Sequence, residues 1–253
     1  MNASQKIAVL LVMLLGISLC LLMFWQAKES KRQSVTNNDT IVASQPPVPA
    51  QEIVRPIPAH GLVRIHDIDA SIIIELKYAT ADNFTGQVLY HDTVAYLQRD
   101  VAEMLHTANV YLQTIRPELR LLVYDAARPL SVQQKMWEKI QDTPYRRYIA
   151  HPDRTGLHNY GAAVDITLCN TQGQVLDMGT PFDHFGKAAS VAREEELLEH
   201  GMLTARHVEN RKLLRQVMRH AGFTSISGEW WHFNACSLTE AKKRYAVIER
   251  INE

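Results

Sequence analysis

Cysteine is scarce in this chain, with three in 253 residues. Cys20 lies inside an apolar run. That leaves Cys169 and Cys236 as the pair that could cross-link a domain in an oxidising compartment. A surplus of charge is lacking too: 27 Lys plus Arg balance 27 Asp plus Glu. Nucleic-acid binders carry a basic excess or stripe, so a nucleic-acid partner has no electrostatic support here. There is no internal repeat, no strand–helix–strand rhythm and no G-x-S-x-G turn. The first two absences set aside solenoids and parallel α/β folds, and the third removes that serine-hydrolase signature.

One long apolar run is present. Residues 7–25, IAVLLVMLLGISLCLLMFW, carry no charge over 19 positions. At 1.5 Å per residue they match a bilayer core of about 30 Å. A secretory signal has a shorter apolar region and a small-residue cleavage site. Here the run ends in Phe24-Trp25-Gln26-Ala27, a poor site, and Leu19 before Cys20 argues against a lipoprotein signal. Residues 1–27 therefore read as a membrane anchor ahead of a cleaved signal, making a membrane the expected partner of this segment. The flanking charges, Lys6 against Lys28, Glu29, Lys31 and Arg32, do not orient it. Residues 28–60 are polar and then rich in proline (Pro46, Pro47, Pro49, Pro56, Pro58). Such a stretch cannot bury a core and reads as a tether.

Residues 61–253 are enough for one core. Residues 62–77 look like strands. Val94, Leu97, Val101, Leu105, Ala108 and Leu112 recur at helical spacing, with Asp92 as the expected N-cap. LRLLVYDA (119–126) reads as a buried strand, Ser131 as the cap of a helix to about 141, and VDITLC (164–169) as another strand. Residues 209–221 read as a helix stopped by Gly222, and FTSIS and EWWHFN close with strand character. The mixture is α+β: a single domain with a central antiparallel sheet, flanking helices and a membrane helix in front.

Two stretches carry candidate chemistry. GLHNYGAAVDIT (156–167) holds His158 and Asp165, which on one straight strand would lie about 20 Å apart on opposite faces. They can share a metal only if the chain turns between them, and Asn159-Tyr160-Gly161 is suited to that. SGEWWHFN (227–234) offers His232 as a third ligand. A His, His, Asp set leaves a fourth position open, the arrangement of catalytic zinc. Glu229 is the candidate general base. In a regular strand it would sit about 10 Å from His232 on the other face, so the backbone at Gly228-Glu229 is expected to be irregular. Trp230 and Trp231 should flank the site, one packed inward and one shaping the pocket. In YDAARPL, Arg128 follows a buried strand and could aim its guanidinium at a developing oxyanion.

The order Arg128, His158-x₆-Asp165, Glu229-x₂-His232 resembles the zinc D-Ala-D-Ala dipeptidases associated with vancomycin resistance, within the D,D-peptidases of hedgehog-type zinc fold. The resemblance runs from about Asp69 to Phe233. It includes KYATADNFTG (77–86), YDAARP (124–129), HNYGAAVDIT (158–167), DMGTPFD (177–183), the NRKLL run from 210 and EWWHF (229–233). It implies one Zn²⁺ per chain on His158, Asp165 and His232. Glu229 would be base and then proton donor, and Arg128 would stabilise the tetrahedral intermediate. Asp183 and Tyr78 match positions that hold the ammonium end of a small D,D-dipeptide. One position departs: the family pattern has Ser two residues before the first His ligand, where this chain has Gly156, with Thr155 the nearest hydroxyl to replace it.

The implied reaction places the domain outside the cytoplasm. Two alternatives share the zinc site: a D,D-carboxypeptidase acting on peptidoglycan stem peptides, and a non-catalytic zinc-containing binding module. The presence of both Glu229 and Arg128 argues against the second. Cys169 lies four past Asp165 and Cys236 four past His232. Antiparallel strands would carry the thiols apart, so two free cysteines are expected.

Overall fold

A computed structural model describes residues 61–249. The anchor and tether expected over 1–60 lie outside the described residues. Among the described residues, no helix is long and apolar enough to cross a membrane.

The chain opens with β1 (Leu62–Arg64), a helical turn α1 (Ile65–Ile68) and the two-residue β2 (Ile73–Ile74). β3 (Tyr96–Gln98) pairs antiparallel with β1 and runs directly into α2 (Arg99–Ile115). This corrects the expected start of that helix. Asp92 caps a turn instead, accepting from the Val94 N–H at 3.0 Å, because residues 96–98 are claimed by pairing with β1. β4 (Leu119–Asp125), α3 (Leu130–Ile140) and β5 (Ala163–Asn170) follow. α3 starts one residue before Ser131, just after Pro129, whose missing N–H is no loss at a helix start. The rest is α4 (Glu194–Glu199), α5 (Ala205–His220), β6 (Thr224–Ser225), β7 (His232–Asn234) and α6 (Leu238–Arg244).

The main sheet has the order β2-β4-β5-β7-β6. β4, β5, β7 and β6 pair antiparallel, as expected, but β2 lies parallel to β4. The reason is the connection. The chain from β2 to β4 passes through α2, a crossover long enough to return it in the same direction. β4 and β5 are buried almost throughout, which explains their continuous apolar sequence. Leu105, Leu112, Leu121, Val123, Val164, Ile166, Leu168, Leu214, Val217 and Phe233 are all buried in one cluster, each contributing about 1.5–3 kcal/mol. Cys169 is buried at the far end of β5 and Cys236 lies just past β7; both are free thiols, as the antiparallel pairing predicts.

One irregularity positions the site. The β4–β5 register shifts between Val123 and Asp125, so that Asp125 stands opposite Asp165. Asp165 in turn stands opposite His232 on β7. A bulge of this kind inserts one residue and re-aims the next side chain. Three polar side chains thus form a row across three strands at one end of the sheet.

Candidate metal centre

His158 reaches that row from the turn before β5. Residues Leu157–Tyr160 form a single 3₁₀ turn, and Gly161 follows at φ +64°. A Cβ there would come within 2.7 Å of Leu62 Cδ2, so glycine serves both the left-handed backbone and the close approach. This is the turn that the His158–Asp165 spacing required.

The three expected ligands meet. His158 Nε2 lies 3.2 Å from His232 Nδ1 and 3.4 Å from Asp165 Oδ1, and His232 Nδ1 lies 3.0 Å from Asp165 Oδ1. The outer ring nitrogens are engaged. His158 Nδ1 donates to the Ala126 carbonyl at 2.7 Å, and His232 Nε2 donates to Asn234 Oδ1 at 2.7 Å. In the neutral rings the inner nitrogens therefore carry lone pairs. Three acceptors converge in a triangle whose edges match the roughly 3.3 Å ligand separation of a tetrahedral ion with bonds of about 2.0–2.1 Å. The donor set fits zinc, and Ala126 and Asn234 supply the outer-shell bonds that fix metal-binding imidazoles. Burial alone would push the Asp165 carboxyl up, but protonated His158 and His232 rings together hold it well below the usual carboxylate range.

Arg128 is buried beside the triangle. Its Nε and Nη2 donate to Asp125 Oδ2 at 2.8 and 2.5 Å, and Nη2 reaches Asp165 Oδ2 at 3.4 Å. Burial would lower its pKa, but the Asp125 carboxylate beside it reverses that and keeps the guanidinium charged. Asp125 also accepts from the Tyr90 hydroxyl at 2.5 Å. Asp125, within YDAARP, shows no role in the sequence alone, because its partnership with Arg128 and its place beside Asp165 depend on the bulge.

Glu229 sits in irregular backbone just ahead of β7, as its parity with His232 demanded. It lines the same cleft as the triangle, Arg128, Tyr78 and Asp183, a space of about 250 Å³. Burial pushes its carboxyl up to about 7, against the lowering pull of His232 and Arg128. Both tryptophans pack into the core; Trp231 also lines the cleft, while Trp230 donates from Nε1 to Thr180 Oγ1 at 2.8 Å. The two tryptophans divide the work as expected.

Tyr78 and Asp183, 105 positions apart, are joined: the Tyr78 hydroxyl donates to Asp183 Oδ2 at 2.9 Å. No helix begins at Asp183; its backbone has φ +59°. Burial and the negative charge of Asp165 push its carboxyl up to about 8, with the Tyr78 bond opposing. A buried carboxylate in a cleft, with one donor and a raised pKa, is suited to receive a cation. Thr155 does not take the place of the missing serine. Its hydroxyl donates to Arg154 O at 2.8 Å, lies 3.1 Å from the Tyr160 hydroxyl, and is not among the groups lining the cleft.

Sequence reading also missed Arg211, in the NRKLL run. It is fully buried on α5. Its Nε donates to the Met178 carbonyl at 2.7 Å and its Nη2 to the Ala188 carbonyl at 3.0 Å. Those carbonyls bracket the loop that presents Asp183. A cation within an apolar helical stripe was the available signal.

Comparison with known proteins gives a consistent result. The pattern that defines the D-ala-D-ala dipeptidase family matches residues 58–249. A D-alanyl-D-alanine dipeptidase of Escherichia coli K12 is 34% identical over 172 residues, 68% of this chain and 83% of the relative. One from Synechocystis is 31% identical over 169 residues, covering 54% of this chain and 68% of the relative. One from Enterococcus faecium is 27% identical over 191 residues, covering 68% and 90%. Among solved structures, a vancomycin resistance D,D-pentapeptidase in complex with Zn(II) matches at TM-score 0.32 and 14% identity, over 68% of this chain and 83% of that one.

Proposed function

We propose that this chain, which belongs to the D-ala-D-ala dipeptidase family, is a zinc metallopeptidase that hydrolyses free D-Ala-D-Ala to D-alanine at the cleft just described. The observation that carries the reading is the company kept by the acceptor triangle. Glu229, Arg128 and the Tyr78–Asp183 pair all line one cleft with it. A space of about 250 Å³ is at the small end for ligand pockets, which run from about 300 Å³ upward, and it suits a dipeptide with methyl side chains.

His158, Asp165 and His232 hold one zinc ion per chain. When bound, zinc supplies a Lewis acid that polarises a carbonyl and makes water acidic near neutral pH. The other roles belong to the chain's own side chains. Asp183 and Tyr78 bind the substrate's ammonium group and so orient the peptide bond. Glu229, already poised near neutrality, takes the proton of the attacking water and passes it to the departing amine nitrogen. Arg128, held by Asp125 in a buried setting, offers positive charge where the carbonyl oxygen becomes negative. Removing one such donor in other enzymes costs about 10²–10³ in rate. Trp231 walls the cleft and limits water.

Anchoring of the free amine separates a dipeptidase from a carboxypeptidase that works on stem peptides. The test is zinc-dependent release of D-alanine from D-Ala-D-Ala and from its N-acylated form. Cleavage of the free dipeptide alone supports the ammonium role of Asp183. Cleavage of the acylated form assigns the enzyme to the carboxypeptidases, and cleavage of neither leaves a binding module.

We also propose that residues 1–27 anchor the chain in a membrane, that 28–60 tether it, and that the domain works on the extracytoplasmic side. The support is the uncharged run at 7–25 and the proline-rich stretch that follows. Fractionation of cells expressing the full chain, with protease added outside the membrane, tests this; a domain that stays soluble and protected in the cytoplasm overturns it.

A further inference from the structure

A dipeptide is a zwitterion, and the groups considered so far account for its amine and its carbonyl but not for its carboxylate. Two cationic side chains other than the ligand histidines line the cleft among the described residues: Arg128 and Arg147. Arg128 is committed to Asp125 through two of its nitrogens. Arg147, on the 3₁₀ segment Pro144–Tyr148, makes no ion pair with any described carboxylate. Its guanidinium carbon lies 5.1 Å from the centre of the Tyr148 ring, and Nη2 reaches the Tyr148 hydroxyl at 3.4 Å. Stacking of this kind holds the planar fork while leaving donors for a ligand.

The location agrees with the charge argument. Arg147, Tyr148, Ile226 and Glu229 line both the cleft and a neighbouring groove of about 430 Å³, which Lys187 and Arg193 also line. Arg193 is paired with Glu196, whereas Lys187 has no ion pair among the described residues. Positive charge therefore extends outward from Arg147, while Asp183 and Tyr78 supply the negative pole of the cleft. Gly156 adds a third observation. It lines the cleft without a side chain, although a Cβ there would meet its nearest neighbour, Ala150 Cβ, at an ordinary 3.7 Å. No hydroxyl at that position assists with an anion.

We propose that Arg147 is a specificity-determining residue that receives the C-terminal carboxylate of the dipeptide, at the junction of the cleft and the basic groove. The inference rests on the dipeptidase reading above. Arginine matches a carboxylate with a bidentate fork, so the interaction is strong and geometrically selective. It is made with substrate and transition state alike, which places its loss in KM and not in kcat.

The experiment uses the zinc-loaded full chain and two substrates, D-Ala-D-Ala and its C-terminal amide. Wild type, R147A and R147K are compared at matched zinc content. The expected result is a KM for D-Ala-D-Ala at least tenfold higher in R147A with kcat within threefold of wild type, an intermediate KM in R147K, and no difference among the three proteins on the amide. Release from D-Ala-D-Ala by the wild type together with an unchanged KM in R147A overturns the inference alone. An equal loss on both substrates overturns it as well, since it marks a structural effect. No release by the wild type from either substrate overturns the dipeptidase reading on which it stands. Arg147 is exposed, so the alanine variant should fold; R147K carries the test if it does not.

Discussion

His158 Nε2 stands 3.2 Å from His232 Nδ1, and neither atom has a proton to offer the other while both rings are neutral. Each ring spends its N–H outward, on Ala126 O and Asn234 Oδ1. Two lone pairs at that separation, with Asp165 Oδ1 beside them, are stabilised by a cation. Asn234→Ala should therefore lower zinc affinity about 10–100-fold with little change in fold, measured by competition against a chromophoric chelator. Unchanged affinity would mean that Asn234 does not set the His232 tautomer. Chelation should also lower the melting temperature of the wild type, and zinc should restore it.

Glu229→Ala should reduce kcat by about 10²–10⁴ while the purified protein keeps one zinc per chain. Loss of zinc together with activity would remove Glu229 from the role of base. The base must be ionised to accept a proton, and its pKa is pushed up to about 7. Activity of the wild type should accordingly fall on the acid side, at a limb that the charge of bound zinc sets below 7 and that a pH profile of kcat/KM would show.

Asp183 carries a cost in stability that the proposed ammonium role would explain. Its folded pKa, about 8, is raised above the ordinary value of 3.8, so the folded state binds the extra proton. The contribution of this group is favourable below about pH 4 and is lost as pH rises through about 8. Asp183→Asn should remove that slope and make the zinc-free protein more stable at pH 8, by up to about 5 kcal/mol. The same change should raise KM for D-Ala-D-Ala at least tenfold. Denaturant melts at pH 5 and pH 8 decide the first part; a variant no more stable at pH 8 would show that Asp183 is not strained by burial.

Arg211 braces both ends of the loop that carries Asp183. Its two donors hold the carbonyls of Met178 and Ala188, and truncating it leaves the buried Met178 acceptor unpaired at about 1–3 kcal/mol and the half-buried Ala188 acceptor at less. Arg211→Leu should lose stability of that order and raise KM through a looser Asp183 loop. Arg211→Lys keeps the charge but lacks the fork to span both carbonyls, so it should fold better and still bind substrate more weakly. A lysine variant with wild-type KM would count against the clamp.

The candidate site residues were legible along the chain because the chemistry proposed for them demands particular side chains in an order that survives folding. His158, Asp165, Glu229 and His232 could be named from spacing and resemblance. The turn at Gly161 and the irregular backbone at Glu229 followed from strand parity alone. The division of labour between Trp230 and Trp231 was expected as well.

How those residues are held depends on folding. Asp125 beside Arg128, the Tyr78–Asp183 bond over 105 positions and the Arg211 clamp all join segments distant in sequence, or depend on a bulge that no local pattern announces. The parallel β2 and the displaced start of α2 are of the same kind. Residues 96–98 have helical spacing, yet pairing with β1 takes them. Local periodicity states what a segment can do, and the partners that arrive on folding determine which option is lowest in free energy. The order of side chains along the chain names the candidate reactive groups; the packing of β4, β5 and β7 sets their distances, their charges and the cleft in which they meet.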